Sequence, residues 1–130
     1  NPAAVEDLDD LARSEILVAL CAPDVPCGAA SRELAARAGV RLAPDTEELS
    51  VTDVLSKVAT GQVDAGLVYT TDFARAPEVQ AVAIEGAGEV QNSYVAVALA
   101  DVDGLAQEFI DMLTSPSGRQ TLANAGFSVP

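Results

Sequence analysis

Two short apolar runs constrain this chain more than anything else in it. Ile16-Leu17-Val18-Ala19-Leu20 is continuous, of strand length, and has no polar residue to turn toward water. Such a run reads as a strand buried on both faces, the habit of strands in parallel sheets. Ala65-Gly66-Leu67-Val68-Tyr69 is a second run of the same kind. The stretch between them is helical in pattern. Residues 29–38 are rich in alanine and arginine and stop at Gly39, a residue that closes helices. Val51, Val54, Leu55 and Val58 form one apolar stripe behind Ser50, and Gly61 ends it. Ser50 with Asp53 three residues on is a weaker form of the capping box. A further short strand is expected at residues 40–42 and a polar loop at 44–49. The alternation of strand and helix predicts an α/β fold, three-layer αβα, with a mostly parallel sheet.

The rest of the chain has a different style. Val5, Leu8, Leu11 and Ala12 recur at helical spacing among acids, which predicts a short amphipathic helix. Residues 79–84 and 94–99 read as strands separated by a turn at Gly86 and Gly88. Leu105, Phe109, Met112 and Leu113 give a helix opened by Asp103. Pro116 stands at a first helical position behind Ser115 and starts a last helix, with Gly126 and Phe127 closing it. The change of style near Asp72 is the one candidate boundary, dividing 1–72 from 73–130.

Charge and composition exclude several functions. Twenty acidic and seven basic residues leave a net charge of −13. That surface repels phosphate backbones and anionic lipid, so neither nucleic acid nor a membrane surface is an expected partner. With no histidine there is no serine or cysteine triad of the usual kind and no imidazole metal ligand. Two cysteines without histidine do not make a typical zinc site. No apolar run approaches the ~20 residues of a membrane span. Asn1-Pro2-Ala3-Ala4 reads as mid-chain or processed sequence, with no basic segment and apolar stretch of an export signal behind it. Cys21 and Cys27 have five residues between them, which is not the spacing of a redox motif. They read either as a small structural disulfide, implying export, or as two buried free thiols.

Three places are chemically suggestive, because ligands of parallel α/β sheets bind where strands end and helices begin. The first is Val25-Pro26-Cys27-Gly28, whose N–H groups suit an anion and which is equally an ordinary strand-to-helix connection. The second is Ser50-Val51, where open N–H groups again suit an anion, or Ser50 only caps its own helix. The third is Tyr69, at the end of the second run, a phenolic donor or a packing residue. The carboxylates pair nowhere in a way that serves acid–base chemistry. Asp45, Glu47 and Glu48 lack the spacing of a calcium loop. Ser14, Ser31 and Ser93 have neither a glycine elbow nor a base. Binding, not catalysis, is the expected activity.

These segments together resemble a known family. Ala22-Pro23-Asp24-Val25-Pro26-Cys27-Gly28, then residues 50–58, then Gly61-Gln62-Val63-Asp64-Ala65-Gly66-Leu67-Val68-Tyr69-Thr70-Thr71-Asp72 are similar to stretches of the molybdate-binding proteins that feed ABC transporters, of the type II periplasmic-binding-protein fold. Asn1-Pro2 with Leu8-Asp9-Asp10-Leu11-Ala12, Tyr94-Val95-Ala96-Val97-Ala98, Phe109-Ile110, Ser115-Pro116-Ser117-Gly118-Arg119-Gln120 and Ala125-Gly126-Phe127 extend the likeness over essentially the whole chain. The tail is shared more widely among type II binding proteins and speaks for the superfamily alone.

The resemblance implies a two-lobed protein closing on molybdate or tungstate through neutral donors. The second-lobe donors fall on the main chain of Cys27 and Val51 and on the Tyr69 hydroxyl. It implies no resident cofactor and no directly bound metal, molybdenum entering only as the oxyanion. It implies an ABC transporter permease as partner and an extracytoplasmic location, in a periplasm or on a cell-surface lipoprotein. Residues 1–72 correspond to the second lobe, and 73–130 to return strands and helices that complete a first lobe, which is absent here. That missing lobe, or a second chain, is then expected to pack on 73–130. Competing readings are a type II effector-sensing domain of a regulator, a binding protein for sulfate or another anion, and a small redox enzyme built on Cys21 and Cys27.

Overall fold

A computed structural model describes residues 1–73, 76–99 and 104–129. Three parallel strands, β1 (Val18–Cys21), β2 (Thr46–Glu48) and β3 (Ala65–Gly66), form one sheet in the order β2-β1-β3. Helix α1 (Pro26–Ala38) joins β1 to β2, and α2 (Val51–Ala59) joins β2 to β3. The expected parallel α/β architecture is the one observed.

The apolar run at β1 is central because it is covered on both sides. Val18 and Leu20 point to one face and join Val5, Leu8, Leu11, Ile16 and Leu34. Ala19 and Cys21 point to the other and join Cys27, Val54 and Val63. The period of two along a strand therefore divides one apolar segment between two cores. Each Val or Leu so buried contributes ~1.5–3 kcal/mol. The first core is roofed by α1 and by a short 3₁₀ turn, Asp9–Ala12, where the amphipathic helix was expected. The second is roofed by α2. Gly66 lets α2 come close, since a Cβ there would stand 2.6 Å from Val54 Cγ1.

Caps follow the sequence closely. Gly39 ends α1 in the left-handed conformation, φ 72°. Ser50 Oγ accepts the Asp53 N–H at 3.2 Å, and Thr60 closes α2 just before Gly61. Among the described residues no helix is long and apolar enough to cross a membrane.

Residues 40–42 are irregular, and the strand lies instead at β2, inside the stretch expected to be a polar loop. Its sequence, Thr-Glu-Glu, has no apolar signature because β2 is an edge strand, held by register and not by burial. Asp45 fixes that register: its N–H donates to Val18 O and its carboxylate accepts the Val18 N–H, both at 2.8 Å.

The boundary also lies elsewhere than Asp72. The two compact units are Asn1–Asn92 and Ser93–Pro130. After the short α3 (Thr70–Phe73), Ala76 is buried and Ile84, Ala87 and Val90 pack on the first core, so this segment belongs with the sheet. Residues 79–84 and 94–99, expected as strands, carry no ladder among the described residues. The second unit contains α4 (Leu105–Thr114) and α5 (Pro116–Asn124). Gly104 precedes α4, while Asp103, expected to open it, lies outside the described residues. Ser115 caps α5 by accepting the Gly118 N–H, with Pro116 at the first position. Phe127 meets Tyr94 edge-on, ring centroids 5.8 Å apart.

Candidate functional site

Parallel strands put all their carboxyl ends on one edge of the sheet, and register shows which residues reach that edge together. Cys21, the last residue of β1, pairs with Glu48, the last of β2. Ala19 pairs with Gly66, the last of β3, so Tyr69 lies three residues past a pairing that β1 outruns by two. The Ala22 N–H donates to Glu48 O at 2.8 Å and carries the ladder one step further. Residues 22–27, 49–51 and 67–69 therefore leave the sheet at its carboxyl edge. Val51 and Tyr69 pack against the core that contains Cys21 and Cys27. All three sequence-predicted binding residues are thus on one side of the molecule, around one core.

Each has a distinct local anchor. Cys27 is the second residue of α1 and Val51 the first of α2. No main-chain or side-chain acceptor among the described residues takes the N–H of Cys27, Val51 or Thr52. Those are the groups a helix start leaves open. The next positions are satisfied: Gly28 and Ala29 N–H donate to Val25 O, and Asp53 N–H to Ser50 Oγ. Both helix starts thus present donors with the positive end of the helix dipole behind them.

Tyr69 is half-buried, and Asn92 Nδ2 donates to its hydroxyl oxygen. Its N–H donates to Asp72 Oδ2 at 3.2 Å, while its carbonyl accepts the Asp72 and Phe73 N–H groups as α3 begins. The side chain is therefore fixed, three residues past the end of β3, by contacts at both its phenol and its backbone.

Cys21 and Cys27 are joined by a disulfide with Cα atoms 5.6 Å apart. Ser31 Oγ donates to Cys27 O at 2.8 Å, in a buried position. Lys57 of α2 pairs with Glu48 at the end of β2. That ammonium holds the Glu48 carboxyl below the usual glutamate range. No basic side chain is needed to explain the donor set at the three positions. Among the described residues, no group of histidine, cysteine, aspartate or glutamate is arranged to hold a metal ion.

Sequence reasoning missed Thr52 and Asn92. Thr52 was readable: the first and second residues after a cap both carry open N–H groups. Asn92 gave no signal, since it meets Tyr69 across 23 positions of chain.

The bacterial extracellular solute-binding protein family matches residues 1–128. The molybdate-binding protein ModA of Mycobacterium bovis is 43% identical over 133 residues, covering 100% of this chain and 51% of that protein. ModA proteins of two Mycobacterium tuberculosis strains, CDC 1551 and H37Rv, match to the same extent. The chain spans about half the length of these curated relatives. No solved structure matches.

Proposed function

The chain belongs to the bacterial extracellular solute-binding proteins, a family of binding proteins and not enzymes, and from that premise we propose that it forms one lobe of a molybdate- or tungstate-binding protein. The observation that carries this reading is the meeting of two open helix starts and a tyrosine at one sheet edge. Cys27 N–H, Val51 N–H and the Tyr69 hydroxyl act as neutral donors to a tetrahedral dianion. The ModA names of the similar proteins supply the identity of that anion. No cofactor takes part, and molybdenum enters only as the oxyanion.

A neutral donor set suits release as well as capture. The ligand's charge meets N–H and O–H dipoles, which discriminate by proton content. Molybdate at neutral pH carries no proton, whereas phosphate carries at least one and needs an acceptor for it. A shell made only of donors disfavours the protonated anion.

The remaining donors come from a lobe outside residues 1–130 or from a second chain, which also covers the second unit. Leu105, Phe109 and Met112 of α4 stand 67%, 54% and 55% exposed, an apolar surface that such a partner buries. The loaded protein hands its anion to an ABC transporter permease in an extracytoplasmic compartment, the periplasm or the outer face of the cell membrane. A disulfide fits that location.

The test is calorimetric titration of the natural polypeptide containing this chain with sodium molybdate, tungstate, sulfate and phosphate. Saturable heat with molybdate and tungstate and none with phosphate is expected. No heat with either metal oxyanion sinks the reading, and sulfate binding more tightly reassigns the ligand.

A further inference from the structure

The two helix starts are built alike but held differently. At α2, Ser50 accepts the Asp53 N–H through Oγ and donates to Asp53 Oδ2 at 2.7 Å. That reciprocal polar cap fixes where the Val51 and Thr52 N–H groups point. At α1 the cap position is Val25, which has no side-chain cap hydrogen bond. Pro23 and Pro26 flank it and donate nothing. What ties this helix start to the sheet is covalent: Cys21 at the end of β1 is bonded to Cys27 in the first turn.

Two further contacts concentrate on the same peptide. Gly28 lies against the end of β1 so closely that a Cβ would stand 1.8 Å from Ala22 O and 2.7 Å from Cys21 O. Ser31 donates to the Cys27 carbonyl. Cys21 and Cys27 are both buried, at 1% and 8% exposure, so the bond is part of the second core and not a surface clasp.

We propose that the Cys21–Cys27 disulfide is the positioning element of the anion site at α1, doing there what the Ser50 cap does at α2, so that oxyanion affinity depends on the redox state of this pair. The inference rests on the oxyanion reading above and deepens it. A core apolar contact resists separation but tolerates sliding, whereas a disulfide fixes the distance between two Cα atoms within narrow limits. Without it the first turn of α1 is held by core contacts, by the close approach at Gly28, by the hydrogen bonds of Gly28 and Ala29 N–H to Val25 O and of Val25 N–H to Ala22 O, and by a hydroxyl acting on a carbonyl. These keep the turn helical, but none of them is a covalent tie that sets the Cys27 N–H at a fixed distance from the end of β1. A donor that must be ordered at the moment of binding costs affinity that a preorganised one does not.

The experiment compares the oxidised natural polypeptide, the same protein reduced, and a Cys21→Ala/Cys27→Ala variant. In the reduction a trialkylphosphine and one water convert the disulfide to two thiols and the phosphine oxide, and a thiol count confirms it. Molybdate titration then gives both stoichiometry and Kd. Stoichiometry reports how much protein is folded, and Kd reports how well the site is formed in those molecules. The expected result is full stoichiometry with Kd about tenfold weaker in both altered forms, the size of one weakened charge-assisted hydrogen bond. Equal Kd in the three forms overturns the inference and leaves the oxyanion reading standing. No molybdate heat from the oxidised protein removes the oxyanion reading itself. If the alanine variant fails to fold, the reduced wild-type protein supplies the comparison.

Discussion

Gly28 and Ala22 are in such close contact that any β-carbon at residue 28 would fall 1.8 Å from the Ala22 carbonyl oxygen. The obstacle is backbone at the end of β1, not a side chain that can rotate away. Gly28→Ala must therefore push the first turn of α1 off the sheet edge. Overpacking of this kind costs ~1–3 kcal/mol, and more where backbone has to move. Denaturant unfolding of the variant should give a lower midpoint by that amount, and molybdate affinity should fall with it. A variant as stable as wild type means the helix start is looser than its contacts indicate.

Ser50→Ala removes the acceptor for the Asp53 N–H and the donor to its carboxylate. Loss of such a cap costs ~1 kcal/mol. The change should appear as a lower urea midpoint with an unaltered slope, because the core beneath α2 is untouched. Ser50→Thr should restore most of the loss, since its hydroxyl can again accept the Asp53 N–H and donate to the Asp53 carboxylate.

Tyr69→Phe keeps the ring on the second core and removes the hydroxyl that Asn92 contacts. If the phenol donates to the anion, molybdate affinity falls about ten- to a hundredfold, the worth of one hydrogen bond to a charge. Thermal stability should change little. Calorimetry beside a melting curve separates the two effects, and an unchanged Kd removes Tyr69 from the donor set.

Glu48 has its carboxyl held below the ordinary glutamate range, chiefly by the hydrogen bond from Lys57. A lowered folded value means that the charged form is favoured by folding. Its stabilising contribution is complete above the unfolded glutamate pKa and is lost as the pH falls through the folded value. The difference in stability between wild type and Glu48→Gln should be constant near neutral pH and shrink in acid. Chemical unfolding at a series of pH values checks this, and a gap that widens in acid contradicts the sign.

Much of this was written along the chain. The run Ile16–Leu20 announced burial on both faces, and Ile16, Val18, Ala19 and Leu20 are buried, while Leu17, just ahead of β1, stands 48% exposed. Ser50 and Ser115 announced helix starts through rules that operate within four residues, and both cap as expected. Local rules are legible because all the groups they involve are neighbours in sequence. The strand at residues 46–48 was not legible, because its pattern is polar and its partner lies 27 residues away. Residues 79–84 and 94–99 erred in the other direction. Their composition suits a strand, but a strand exists only with a partner to accept its hydrogen bonds.

The same division runs through the site. By itself the sequence determined that Val51 begins a helix and that Tyr69 ends an apolar run, since caps and apolar period act over one or two turns. It left Cys27 in a loop before a helix at 29–38, whereas α1 starts at Pro26, and of the run 65–69 only Ala65–Gly66 pair as strand. Only the tertiary structure decided that these three positions share an edge. Parallel pairing of β1 with both neighbours, a matter of register between segments tens of residues apart, brought them there. The tertiary structure also closed the choice between thiols and disulfide, because only the approach of α1 to the end of β1 sets the sulfurs within bonding distance.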